Sequence, residues 1–364
     1  MKKKRIKLNR SILSNTFEVK IAACFKVFAK FRYPETTNDY VPDFSKPVLV
    51  ETNPFRAWSD YRKAMKRLKR LDTKALEETY NNLCDEYSRE IMIKTIAYVC
   101  FNEMRFRFPL FYSPYLQMGK LVDSGIVGEE AILRAGGLLK LQKYNIAKLG
   151  YDITLWHDTM GIIIDFVEEQ YKYRDIVEAI PGDVVIDAGA CYGDTALYFS
   201  EKTKGADVYS FEFLPENLEV FNQNLALNPQ YAKNVHLVKS PIGDVSGAKL
   251  YGIPHGPGTY ISNVKQENAI ELEIVSIDDF VERNHIEKVD FIKMDIEGSE
   301  AAALRGAIRT IRKHKPKLAI CAYHKPDDLC VLPKIIKEAV PEYRLYLDHY
   351  TINPTETVLF AKVP

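Results

Sequence analysis

The sequence has little net charge, no long apolar run and no cysteine pattern, and each shortfall removes a class of protein. Its 50 Lys/Arg and 49 Asp/Glu leave a formal net charge of +1, so nothing global points to nucleic acid. No segment approaches the ~20 apolar residues that a bilayer-crossing helix needs. The six cysteines (Cys24, Cys84, Cys100, Cys191, Cys321 and Cys330) form no Cys-x-x-Cys pair and no Cys/His group at zinc spacing. Reduced thiols in a cytoplasmic protein are the simplest account. The basic start Met1–Arg10 runs on into Asn15, Glu18 and Lys20 rather than into the apolar core of a signal peptide. There is no internal repeat and no low-complexity tract.

Hydrophobic content of 46% is ordinary for a globular chain, and 364 residues favour two domains over one. The charge is unevenly spread. Residues 1–70 hold 18 Lys/Arg against 6 Asp/Glu, a local +12, which leaves the remainder at −11. A solvated basic face accounts for this. The competing account is an anionic partner, including peripheral contact of the basic N-terminus with the inner face of a membrane.

The style of the sequence changes near residue 150. Residues 57–107 carry apolar positions at three- and four-residue spacing and read as helical, and residues 115–150 read as helical again, broken near Gly125 and Gly136–Gly137. A mainly helical N-terminal domain over 1–150, with a substrate or oligomerisation role, is therefore expected. From 151 to 364 strands and helices alternate, the signature of a mostly parallel α/β sheet. Strands are expected at 183–187, 208–211, 235–239, 289–294 and 318–322, with a closing antiparallel pair at 343–347 and 357–361. Helices are expected at 195–202, 215–227 and from about 299 to 313. The Gly- and Pro-rich insertion 249–277 is expected to be a surface loop or hairpin.

The segment Asp187-Ala-Gly-Ala-Cys-Tyr-Gly-Asp194 ends the first of these strands and opens a helix. Gly189 and Gly193 permit a tight turn and close approach to a ligand, and free amides at a helix start can face one. Nineteen residues beyond Gly193, Glu212 follows the second strand, where a carboxylate can accept hydrogen bonds from both ribose hydroxyls. Three readings compete. A nicotinamide site wants G-x-G-x-x-G and a pyrophosphate, but here the spacing is G-x-x-x-G and an acid, Asp187, ends the strand. S-adenosyl-L-methionine has no phosphate and two positive groups, which suit Asp187 and Asp194. A purely structural turn is the third reading.

The stretch Pro181–Thr195 resembles the first motif of the FkbM family of methyltransferases. Ser210-Phe-Glu-Phe213 resembles its Phe-Glu-Pro motif, with Phe213 in the proline's place, and Asp290-Phe-Ile-Lys-Met-Asp-Ile-Glu-Gly-Ser-Glu300 resembles its Lys-x-Asp-x-Glu-Gly-x-Glu signature. Ser276-Ile-Asp-Asp-Phe280 also fits. The resemblance spans roughly residues 165–362. It implies a Rossmann-like class I methyltransferase sheet, S-adenosyl-L-methionine as methyl donor, and O-methylation of a sugar, glycan or natural product. Carried over, Asp187, Gly189, Ala190, Gly193 and Asp194 line the cofactor, Glu212 with Phe213 holds the ribose, and Asp244 lies near the adenine. Tyr171, ahead of the first strand, is expected to cover the cofactor.

Methyl transfer needs acceptor oxygen, methyl and sulfur in line, and a base for the hydroxyl proton. Asp295 and His324 both follow strand ends, where open α/β sheets place ligands, and are the candidate catalytic pair. A structural histidine is the alternative for His324. Glu297 and Glu300 are candidates for helix capping or for the site. A magnesium ion (Mg2+) on Asp295, Asp327 and Asp328 competes with the favoured reading, in which Asp327–Asp328 cap a helix. His157–Asp158 reads as a surface or interdomain pair rather than a relay. Tyr260 and Asn263, in the insertion, are candidates for substrate contact. The rival functions are a nucleic-acid methyltransferase, disfavoured because Asp295-Ile-Glu-Gly298 is not an Asn/Asp-Pro-Pro-aromatic turn, a nicotinamide-dependent oxidoreductase, and a non-catalytic binding module.

Overall fold

The computed structural model describes residues 17–32, 50–51, 53–101, 114–134, 137, 139–255, 258–262, 269–351 and 355–364. The basic stretch 1–16 and Asn263 lie outside them.

A seven-stranded sheet organises the C-terminal part. Its strands are β1 (Val185–Ala188), β2 (Val208–Phe211), β3 (Val235–Val238), β4 (Phe291–Met294), β5 (Lys317–Cys321), β6 (Arg344–His349) and β7 (Thr357–Lys362). They lie in the order β6-β7-β5-β4-β1-β2-β3, parallel except for β7, which runs antiparallel between β5 and β6. The inner strands β1, β4 and β5 are mostly apolar and buried on both faces, as a sheet covered by helices on both sides demands, with Asp187 and Lys293 the charged exceptions inside it. The strand order reverses between β1 and β4, and the crevice beyond their carboxyl ends is where such sheets take ligands.

Helix α1 (Asp194–Thr203) follows β1, and α2 (Pro215–Leu227) follows β2 with proline in its first turn. The helix expected from about 299 to 313 is two, α3 (Glu300–Arg305) and α4 (Ile308–His314). The break falls at Gly306. A Cβ there would stand 2.1 Å from the carbonyl oxygen of Gly243, and Asp278 then caps the new start through the amides of Arg309 and Thr310 at 2.9 and 2.7 Å.

The helical reading of 115–150 is corrected. After the short helix Pro114–Asp123 the chain makes an antiparallel sheet of Ile126–Arg134, Leu139–Asn145 and Thr154–His157. Leu139 and Leu141 alternate with polar residues at the strand period, and Gly137 (φ +91°) supplies a left-handed turn residue. The insertion is a second small sheet, with Lys249–His255 between Gly258–Ser262 and Ile270–Glu273.

Helices Phe17–Lys30, Pro54–Leu68, Thr73–Asn82 and Glu86–Phe101 share one continuous core with the large sheet. Helix Glu86–Phe101 lies along β6, where Ser88 Oγ accepts the amide of Leu347 and Tyr87 donates to Asp348 at 2.9 Å. Cys84 N donates to Leu345 O at 2.9 Å, which covers the edge of the sheet.

Candidate functional site

The turn after β1 is shaped by its neighbours before any ligand is considered. Gly189 (φ +84°) passes so close to the end of β4 that a Cβ would stand 1.8 Å from the carbonyl oxygen of Asp295. At Gly193 (φ +80°) a Cβ would press on the ring of Phe221 at 2.9 Å. Only glycine meets both the positive φ and the contact. The amides of Gly189 and Ala190 donate to Phe211 O and that of Gly193 to Ala190 O, so three of the turn's amides are engaged within the protein. Ala190 is fully buried beside Ala196 and Phe221.

Asp187 also faces inward. Its buried carboxylate accepts from Thr195 Oγ1 and Ser210 Oγ and lies 3.2 Å from Lys293 Nζ, itself buried. Lys293 donates to Gly189 O at 2.6 Å and sits 5.1 Å from the ring centre of Tyr171. Burial works against its charge, but Asp187 and Asp295 outweigh that and hold the ammonium protonated. The ion pair thus fixes the Gly189 turn. Lys293 stands in the quoted signature, yet only the fold discloses this task.

At the end of β2, Glu212 is nearly buried. One carboxylate oxygen accepts the amides of Phe213 and Leu214 at 2.6 and 2.7 Å, and the other accepts Asn217 Nδ2 at 3.1 Å. Burial raises its pKa, and these donors pull the other way. Asp244 is exposed on the loop after β3 and is not drawn into this group by a described contact.

Asp194 opens α1, buried, with one carboxylate oxygen lacking a hydrogen-bond partner. His157 Nε2 faces that oxygen at 3.7 Å and Asp165 at 4.0 Å, while His157 Nδ1 accepts the amide of Asp158 at 2.8 Å. His157 is therefore buried against the start of α1, with Asp158 half-buried beside it. Gly161 makes room for it, since a Cβ there would overlap the imidazole. Burial and the neighbouring Asp194 push Asp165 well above the usual carboxylate range, so this acid pair holds a proton.

Beyond β4 and β5 a second cluster forms. Tyr171 and Tyr323 donate to the two oxygens of Asp295 at 3.1 and 3.2 Å. Tyr323 also reaches Glu356, which Gln170 holds at 2.7 Å. His324 Nε2 lies 3.5 Å from both Asp295 and Glu297, and its Nδ1 lies 2.9 Å from the wholly buried Glu300. Burial favours the neutral ring, but Glu300, Asp295 and Glu297 prevail and raise the His324 pKa to about 9. Glu300 also accepts the amides of Ile296 and Gly298, so it caps the turn and faces the histidine at once. Tyr323, Glu356, Gln170 and Asp165 carried no separate signal in the sequence, because four elements bring them together.

The magnesium set does not assemble. Among the described residues the close groups of metal-ligating side chains around Asp295 contain Glu300 with His324, and Cys321 with Glu356, not Asp327 or Asp328. Asp328 instead accepts the amide of Lys325 at 2.7 Å at the start of helix Asp328–Ala339. Tyr260 lies on the strand Gly258–Ser262 of the insertion.

Residues 187–351 match the sequence model of the methyltransferase FkbM domain. The chain is 25% identical over 211 residues to the hexuronic acid methyltransferase AglP of Haloferax volcanii, across 55% of this chain and 83% of that one. It is 23% identical over 183 residues to the methyltransferase sdnD of Sordaria araneosa, across 39% and 70%. The solved methyltransferase FkbM from Methylobacillus flagellatus KT shares its fold, with a TM-score of 0.53 and 20% identity over 84% of this chain and 64% of that one, a little under two thirds of its length. Strand order, antiparallel β7 and the matched segment agree: this chain is a methyltransferase with a Rossmann-like sheet, whose residues 187–351 form an FkbM-family domain.

Proposed function

We propose that the chain transfers the methyl group of S-adenosyl-L-methionine to a hydroxyl of a sugar, glycan or related metabolite. The observation that carries this reading is Glu212, held at the carboxyl end of β2 by Phe213, Leu214 and Asn217. A carboxylate in that place accepts the hydroxyls of a ribose. The groups around the turn suit a cationic, phosphate-free ligand. Asp194 offers a buried carboxylate, one oxygen of which makes no hydrogen bond and faces His157 at 3.7 Å, and Lys293 is already held by Asp187. A pyrophosphate would meet the carboxylates of Asp187 and Asp194, whose nearest cations, Lys293 and His157, already face those acids, which disfavours a nicotinamide dinucleotide.

When bound, S-adenosyl-L-methionine supplies a methyl carbon activated by positive sulfur. The protein's part is to orient the acceptor and receive its proton. Asp295, steadied by two tyrosines, and His324 stand at the carboxyl ends of β4 and β5 for that task. With a pKa of about 9, His324 is mostly imidazolium at neutral pH, and the neutral base gains population as pH rises. The similarity to a hexuronic acid methyltransferase supports an acidic sugar as acceptor. The test is calorimetry with S-adenosyl-L-methionine and with NAD, followed by labelled-methyl transfer to uronic-acid saccharides. Binding of NAD alone, or cofactor binding without transfer to any hydroxyl acceptor, would overturn the proposal.

A further inference from the structure

We propose that helix Pro54–Leu68 and the turn after it form a docking surface for an anionic lipid bilayer, independent of the methyl-transfer site. One side of this helix belongs to the core. Ala64 and Leu68 are buried, and Ala57, Tyr61 and Met65 pack beside them. The other side is unusual. Phe55 is 80% and Trp58 55% exposed, with ring centres 6.3 Å apart. Continuing at helical spacing from these rings come Arg62, Lys66 and Lys69, and a parallel row holds Arg56, Lys63 and Arg70, all exposed. Asp60 is the single acid of residues 54–71.

Two exposed aromatic rings at one end of a cationic ridge about 22 Å long match the interface of an anionic bilayer. The rings enter the headgroup region while the lysines and arginines meet phosphates. Single-stranded RNA also pairs with basic and aromatic side chains, but it needs free ring faces interleaved with the cations. Here the rings sit together at the start of the helix. The Arg62 guanidinium lies 4.7 Å from the ring centre of Trp58, on a face that a base would have to occupy. The helix is too short and too charged to cross a bilayer, and no helix among the described residues is long and apolar enough to do so. The contact is therefore peripheral.

The experiment is vesicle flotation of the full chain, with vesicles of phosphatidylcholine alone and of phosphatidylcholine mixed with phosphatidylglycerol. The protein is expected to float only with the anionic vesicles, and less so at high salt. The Trp58 emission should shift to the blue, with Trp156, already buried, contributing a constant background. The double variant Phe55→Ser/Trp58→Ser is expected to keep its fold by circular dichroism, to methylate a soluble acceptor as before, and to lose anionic-vesicle binding about tenfold or more. Arg62→Glu/Lys63→Glu/Lys66→Glu should lose it as strongly, and serves if the first variant misfolds. Equal binding to both kinds of vesicle, binding to neither, or tight binding to single-stranded RNA without flotation would overturn the proposal. Unchanged methyl transfer in both variants separates this result from the fate of the catalytic reading.

Discussion

His324 Nδ1 lies 2.9 Å from a carboxylate oxygen of Glu300, a glutamate with no exposed surface. That pair anchors the imidazole with Nε2 directed at Asp295 and Glu297. Replacing Glu300 with glutamine removes the leading source of the raised His324 pKa, so the midpoint should fall from about 9 toward the ordinary 6.5. An NMR titration of the imidazole checks this. In the parent protein, turnover should climb as pH rises toward 9, and in the glutamine variant the climb should come earlier. His324→Ala should lower turnover far more than cofactor affinity. A parent profile flat from pH 6 to 9 would remove His324 from proton transfer.

The same shift affects stability. A histidine whose folded pKa is raised adds stability that is complete below its unfolded pKa near 6.5 and fades as pH climbs through about 9. Chemical denaturation at pH 6 and pH 9 should show a loss at the higher pH that His324→Ala no longer shows.

Glu212→Ala should weaken S-adenosyl-L-methionine binding by about ten- to a hundredfold, because hydrogen bonds to a charged acceptor are worth ~1.5–3 kcal/mol. Titration calorimetry measures it. The fold should survive, since the three donors to Glu212 belong to its own local turn.

Gly189→Ala should be among the most damaging single-methyl additions in the chain. The positive φ and the overlap with Asp295 O together cost about 2–5 kcal/mol. Gly182→Ala is the control. Its φ is +90° but nothing lies within 4 Å of the added carbon, so only the conformational part, about 1 kcal/mol, remains. A comparison of the two melting temperatures separates contact from conformation.

Lys293→Met should destabilise the protein by about 3–5 kcal/mol, because it strands the buried Asp187 carboxylate without its cation. Adding Asp187→Asn should recover part of that loss. Additive denaturation energies in the double variant would show that the two side chains are not coupled.

How legible the molecule was depended on the range of the signal. β2 falls where its apolar run predicts, at 208–211, because a buried parallel strand is written in consecutive residues. The 126–145 hairpin was misread because Leu141 and Tyr144 stand at helical spacing while Leu139 and Leu141 stand at strand spacing, and the stretch is too short for either period to decide. Asp187 and Asp194 flank the same turn and look alike in sequence. Their surroundings differ because Lys293, far along the chain on β4, makes its ion pair with the first. The cluster around Asp295 was half visible, since Tyr171, Tyr323 and Glu356 meet only after the strands are ordered.

The hydrogen bond from Cys84 to Leu345, with helix Glu86–Phe101 laid along β6, has a further consequence. Without that cover β6 would present a row of unpaired backbone groups, a template on which a strand from another molecule can add. A chain trimmed to begin after residue 101 would keep every motif of the signature and yet expose this row. Self-association into β-rich aggregates is the expected behaviour of such a fragment, which makes the N-terminal helices guardians of solubility as well as part of the core.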